Sequence, residues 1–465
     1  MEIKQRIIGL LKRAEFNRAI VYGFTQRVFD VLSGPITVVL IAKYFSPDLQ
    51  GYYYTFASIL ALQSYVDMGL GNAVLQFASH EWAHLGFAED GSIHGDQTAL
   101  SRLVSLSKIS LTWYFVFGWI LTIALAIGGY ILFSKSPTTG IYWLWPWFLM
   151  CVLTGINFNT IPLWSILEGC NQVHHVYLFR LYQSFSIRLT VWIAIIAGAQ
   201  LWVAVLSSLV NLVCVVFLVR KKYWKFMRAL LSFDTITAKI SWWKEIWPYQ
   251  WRIGLGGLSS YFTTAFFAPV LFSYHGPVVA GQMGMTWNMV YMTSNLSALW
   301  TSTRIPQFGI LIAQKKYKEL DKLIIKLFKV VLPLTLLAGA GLWGTFYFIR
   351  QFGFKLGYRV LDPLPFGLLV IAQTLLALTI PLSSYLRAHK KEPLMPISVG
   401  SSLATGVSTL ILGKYYSVTG ITAGYLAIVA IAFPVIILIW KQKRHEWHTA
   451  PAGVINYKRD GVMNE

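Results

Sequence analysis

The stretch ISLTWYFVFGWILTIALAIGGYILF, Ile109 to Phe133, decides the fold: its 25 residues carry no charge. At 1.5 Å per residue a helix of that length spans the roughly 30 Å hydrocarbon core of a bilayer. Only helices and closed barrels satisfy their own backbone hydrogen bonds there, and a barrel strand would alternate apolar and polar residues over about ten positions. This run does not alternate. The pattern recurs along the 465 residues, of which 56% are hydrophobic and 12% charged, against about 25% charged in soluble domains. Spans are expected near 20–41, 51–75, 109–133, 141–167, 176–198, 200–220, 249–273, 278–300, 327–350, 364–386, 394–413 and 418–440.

Charge sets the orientation, because lysine and arginine favour cytoplasmic loops. Twenty-eight of them fall on the side of the two termini, including the cluster Arg220 to Lys244. Only Lys43, Lys135, Lys355, Arg359 and Lys414 fall on the other. Both termini are expected in the cytoplasm, and the net charge of +20 reads as topology, with no nucleic acid as partner. The opening MEIKQRIIGLLKRAEFNRAI interleaves basic and apolar residues without a cleavage site and is expected to be an uncleaved interfacial helix. Cys151, Cys170 and Cys214 imply no disulfide framework. No outer loop is large enough for the chemistry expected of sugar polymerases and ligases.

The basic connection near mid-chain separates halves that keep traces of a repeat. Pro47 to Gly51 in SPDLQGYYYTF matches Pro277 to Gly281 in GPVVAGQMGMTW, and SILEGCNQ from Ser165 faces SYLRAHKK from Ser384. Six spans per half make the repeats parallel, related by an axis along the membrane normal. The expected organisation is a segment 1–19, a first lobe 20–220, a connection 221–248, a second lobe 249–440 and a tail 441–465. The fold class is therefore all-α integral membrane, about twelve spans in two six-helix lobes around a central cavity.

Polar residues inside the spans mark that cavity, since a charge in hydrocarbon normally faces water or a partner. Arg27 and Asp30 lie three apart in the first span. Either they pair and fix the helix, or Arg27 contacts phosphate or acidic sugar while Asp30 tunes it or binds a coupling cation. Arg180, Ser184 and Arg188 repeat every four residues in the fifth span, with Gln183 adjacent. Arg180 either snorkels to the interface or lines the cavity; for Arg188, near mid-depth, that escape is poor. A guanidinium keeps its charge and offers paired donors to phosphate or carboxylate oxygens. Gln63 with Asp67, and Asn157 with Asn159, either line the same cavity or bond between helices. Arg252 and Arg304, near cytoplasmic span ends, read as interface anchors or ligand contacts. HEWAH, His80 to His84, matches the zinc-protease spacing. It would need a third ligand such as His94 or Asp96, and no second ligand motif follows. No metal and no cofactor is expected. The aromatic clusters YWLWPWF from Tyr142 and SWWKEIWPYQW from Ser241 read mainly as interfacial belts, with a minority free to stack on sugars.

The twelve-span plan, the basic N-terminus before a polar first span, VLIAKYFSPDLQGYYYTFASILALQSYVDMGLGNAVLQFASHEWAHL (Val39 to Leu85) and SILEGCNQ together resemble the Wzx-like polysaccharide-repeat flippases. These belong to the MOP superfamily, which also holds multidrug exporters of the MATE type and lipid II flippases. The resemblance implies a non-enzymatic, MATE-like inner-membrane transporter that moves an undecaprenyl-diphosphate-linked oligosaccharide by alternating access, with H⁺ or Na⁺ coupling an option. It implies membrane lipids and the polysaccharide polymerase machinery as partners, and cationic cavity residues, which Arg27 and Arg188 fit by depth. A cation-coupled drug exporter of the same fold, a lipid II flippase and an intramembrane zinc protease are the alternatives.

Overall fold

Among the described residues the chain forms twelve long helical passes, most of them set by apolar length. The computed structural model describes residues 2–87, 93–135, 140–232, 238–389 and 391–449, except for the side chains of 2–17, 231–232, 249, 252, 296 and 449. Helix α1 is Glu2–Tyr44, and α2 covers 47–82 in three pieces, Pro47–Leu60, Leu62–Val66 and Leu70–Trp82. Next come α3 (Gln97–Phe133), α4 (Leu144–Phe158 and Ile161–Gly169), α5 (Val173–Ile196) and α6 (Trp202–Leu218). In the second half α7 is Trp247–Thr264 and Phe267–His275, α8 Pro277–Ser302, α9 Tyr317–Gln351 and α10 Pro363–Ala388. Helices α11 (395–416) and α12 (418–449) form a hairpin: the chain turns at Ser417, whose φ is 54°, and Gly424 lies against Ser408 and Leu412.

Among the described residues, α1, α3, α4, α6, α9, α10 and the α11–α12 pair are long and apolar enough to cross a membrane, and α7, bent by 43°, adds another. The three remaining passes, α2, α5 and α8, are the polar ones, which is why composition alone undercounts the crossings. The protein is a multi-pass membrane protein. One small departure from all-helix is a two-stranded hairpin, Leu85–Phe87 with Ile93–Gly95, between α2 and α3.

Apart from α2, which packs against α8 as closely as against α4, helices α1–α6 pack chiefly on one another, α1 on α5 above all, and α7–α12 do likewise, α8 and α9 on α10 and α10 on the α11–α12 hairpin. The result is two six-helix lobes related by a pseudo-two-fold axis along the membrane normal. The lobes are joined at one end. Away from the termini a single hydrophobic cluster runs through both, with Tyr52, Phe133 and Phe272 in mutual ring contact. At the end carrying the termini each lobe has its own separate cluster.

The joined end is built on the repeat. Pro47 and Pro277 each open a helix, and Gly51 and Gly281, one turn on, bring α2 and α8 into backbone contact. A Cβ on Gly51 would sit 1.9 Å from the Pro277 carbonyl oxygen, and one on Gly281 would sit 2.8 Å from the Gly51 nitrogen. Buried Gln50 donates across the seam to the Gly281 and Arg359 carbonyls, both at 2.9 Å, and Arg359 donates to the Phe45 carbonyl at 2.5 Å. Only glycine permits helices this close.

Candidate substrate-binding site

The site grows from the packing of α1 on α5. Tyr177 lies over Gly23, Phe185 stacks on Phe29 at 4.5 Å, and the Trp192 indole N–H donates to Thr37 at 2.9 Å. This register puts Asp30 opposite two residues of α5. Ser184 donates to its carboxylate at 2.6 Å, and the Arg188 guanidinium stands 3.8 Å from the same oxygen. The in-helix pair of Arg27 with Asp30 does not form. Helical spacing allowed it, but a carboxylate bonded sideways to α5 is better satisfied, and Arg27 is left exposed with no ion pair among the described residues.

Arg188 and Asp30 are both about one-third exposed, and Ile187, next to Arg188 on α5, lines a cavity together with Tyr53 of α2. This cavity of about 510 Å³ opens between α2, α4, α5 and α6, floored by Phe56 and Trp164 and lined by Gln63, Thr154, Asn157, Ser207, Ser208 and Asn211. Its lining holds amides, hydroxyls and aromatic rings but no acid and no base. A chain of amides braces the back wall: Gln183 donates to Asn211 at 2.6 Å, Asn211 to Asn157 at 2.9 Å, and Asn157 to the Ser208 hydroxyl at 2.9 Å. Sequence reasoning singled out Gln63 and Asn157 but missed Ser208 and Asn211. Their spacing with Ser207 in the otherwise apolar α6 was the available signal.

No family model and no curated protein matches the chain. Solved structures do. The inward closed conformation of the lipid II flippase MurJ superposes with a TM-score of 0.63 at 14% identity, covering 92% of this chain and 90% of that one. An inward-facing multidrug-resistance MATE family transporter of the MOP superfamily gives 0.60 at 13%, covering 92% and 96%. A MOP superfamily transporter from Pyrococcus furiosus, described as having a binding pocket of reversed polarity, gives 0.50 at 13%, covering 94% and 96%. The fold is the MOP transporter fold.

Within this MOP fold the remaining residues sort by position. Arg180 lies at the terminal end of α5, 2.5 Å from Glu168 and over the rings of Trp164 and Tyr177, so its charge is met locally. Asn159 turns from the cavity, donating to the Gly155 carbonyl at 2.7 Å beside Gly118. Asp67 sits in the break of α2, where Met68 (φ 49°) and Gly69 (φ 73°) redirect the chain. Its carboxylate accepts from the Tyr114 hydroxyl and from the N–H groups of Gly69 and Gly71, which ties the break to α3. Arg304 is exposed just past α8, and the Arg252 side chain lies outside the described residues. The HEWAH segment closes α2. Glu81 accepts from Arg102 at 2.8 Å, and Asp96 caps α3 through the Ala99 N–H at 3.0 Å, so the acids a zinc site would use are engaged otherwise. Among the described residues no three metal-ligating side chains converge.

Proposed function

We propose that the protein flips an undecaprenyl-diphosphate-linked oligosaccharide repeat unit across the bacterial inner membrane by alternating access of its two lobes, with both termini cytoplasmic. The observation that carries this reading is the balance of charge around the first-lobe cavity. Arg188 follows Ile187 of its lining on α5, Arg27 is exposed on the adjoining helix with no ion pair among the described residues, and the span carboxylates Asp30, Asp67 and Glu168 each already have a partner. Guanidinium groups in a wet, low-dielectric cleft hold a diphosphate through paired charge-assisted hydrogen bonds. An exporter of organic cations needs the reverse, a carboxylate free to face its cargo.

The likeness to the lipid II flippase MurJ supports a lipid-linked cargo, and the separate hydrophobic clusters at the terminal end support lobes that part there. The Wzx-like motifs of α2 direct the reading to polysaccharide repeat units rather than lipid II. Asp30 is the better candidate for H⁺ or Na⁺ coupling, because Asp67 is spent on the break in α2. The test is surface-glycan analysis of a deletion strain complemented with wild type or Arg188→Ala. The expected result is loss of long glycan, with lipid-linked units trapped on the cytoplasmic face, rescued by wild type and not by an equally expressed Arg188→Ala. Full-length glycan in a deletion strain lacking any second flippase would end the reading.

A further inference from the structure

We propose that the first-lobe cavity is a subsite for an uncharged sugar ring of the cargo head group, separate from the place where its diphosphate is held. The inference rests on the flippase reading for the identity of the whole cargo, but the chemistry of the subsite is carried by its own walls. A lining without acids disfavours cations and one without bases disfavours phosphate, and the amides and hydroxyls set among Leu60, Met150, Ile161 and Ile187 give the cavity both a polar rim and an apolar wall. What fits is a neutral ligand with an apolar face and a rim that both donates and accepts hydrogen bonds, which describes a pyranose. Tyr53, the aromatic residue of the lining that keeps exposed surface, supplies a face for stacking, with Phe56 and Trp164 packed behind the wall.

The rim has spare capacity on the protein side. Neither the Gln63 nor the Thr154 side chain makes a hydrogen bond among the described residues, and Asn211, which gives one amide proton to Asn157, keeps a second. Such unspent polar groups inside a membrane lobe favour a ligand that satisfies them. The volume falls within the roughly 300–1,000 Å³ of small-ligand pockets.

Comparison of the lobes strengthens the assignment. In the second lobe α10, α11 and α12, closed by Thr263 of α7 where the first lobe uses α2, also enclose a cavity, but it measures about 190 Å³. Its polar lining is hydroxyls, Thr263, Thr379, Ser398, Ser401, Ser402 and Thr405 among them, with no amide. Thr379, Ser401 and Thr405 spend their protons on carbonyls of their own helices. Two lobes of one plan thus differ in the feature a sugar requires, and the larger, amide-lined cavity is the one beside Arg188.

The test uses the full chain in lipid nanodiscs with Ser207→Cys as a reporter on the cavity wall. Cys214→Ser removes the one partly accessible native thiol, since Cys151 and Cys170 are buried. Methyl N-acetylglucosaminide is expected to slow maleimide labelling of the reporter several-fold, while methyl glucuronide and inorganic pyrophosphate do not. Gln63→Leu, which breaks no bond within the protein, should raise the half-protecting concentration about tenfold, the effect of one hydrogen bond. Ala204→Phe, which fills the cavity, should abolish protection and fail to restore glycan in the deletion strain. No protection by the neutral glycoside, or equal protection by glucuronide or pyrophosphate, would overturn the subsite. So would full rescue by Ala204→Phe, with the flippase reading intact. Unchanged glycan in the deletion strain alongside intact protection would instead overturn the flippase reading and leave the sugar subsite standing.

Discussion

Replacing Gly51 by alanine should force the lobes apart at the end away from the termini. In an ordinary helix interior Gly→Ala stabilises by about 0.5–1 kcal/mol. Here the new methyl would lie 1.9 Å from the Pro277 carbonyl oxygen and 2.7 Å from the Pro277 Cα. Carbon contacts settle near about 3.5 Å, so α2 and α8 must separate by more than about 1 Å. Both neighbours are backbone and cannot rotate away. Overpacking of this kind costs about 1–3 kcal/mol, which shifts the balance between closed and open seams about fivefold to more than a hundredfold. Hydrogen exchange in segments 46–54 and 277–286 reads the effect, because parting the seam admits water to the backbone of both helices as the Gln50 bonds to the Gly281 and Arg359 carbonyls are lost. The control is Gly128→Ala in α3, where an added Cβ meets nothing within 4 Å and exchange should stay as in wild type. Wild-type protection in Gly51→Ala would refute the claim that this contact holds the lobes together.

Three further outcomes are expected. Tyr114→Phe removes the hydroxyl that holds the Asp67 carboxylate across the break in α2, and should lower thermal stability in detergent by about 1.5–3 kcal/mol; an unchanged melting temperature would show that the backbone bonds to Asp67 suffice. Arg102→Gln severs the pairs with Glu81 at 2.8 Å and Glu245 at 2.9 Å; both are partly exposed, so the loss should be no more than about 1 kcal/mol per pair, with faster exchange confined to 238–246. Acidification should loosen the terminal end of the second lobe. Burial pulls His389 and His448 below the ordinary histidine value; the Tyr385 carbonyl bond opposes this at His389, where His448 and Lys391 add to the lowering, and Asp321 opposes it at His448, where Arg444 adds to it. The folded state therefore binds fewer protons than the unfolded one, and the stability present above about pH 6.5 is lost as pH falls below it. Exchange in 440–449 should rise between pH 7.5 and 5.5, and a flat profile would refute it.

The helices were legible because a bilayer imposes both length and apolarity, as Ile109 to Phe133 illustrates. The lobe repeat was legible because Pro47–Gly51 and Pro277–Gly281 occupy equivalent helix starts, although their spacing did not disclose that they touch. The break in α2 was hidden inside an expected span 51–75, since a single Met-Gly pair at positive φ leaves the apolar average unchanged. Pairing across helices was the least legible level. Asp30 is three residues from Arg27 in sequence and 154 from Ser184, yet its carboxylate bonds to the latter, because the register of α1 on α5 is fixed by Gly23, Phe29 and Thr37 rather than by the acid itself. The amide chain from Gln183 to Asn157 belongs to the same class: it exists only once three helices converge.

The grip of Arg102 on Glu245 also sets how far the lobes can swing. Glu245 is part of a helical turn, Trp242–Ile246, that runs straight into α7, so only about 10 Å of chain separates the anchor on the first lobe from the first full turn of the second. A leash that short, reinforced by Ile240 and Ile246 buried in the first lobe's own cluster, leaves little slack between the lobes at this end. Parting there is then expected as a rotation about residues 245–248 rather than as a sliding separation.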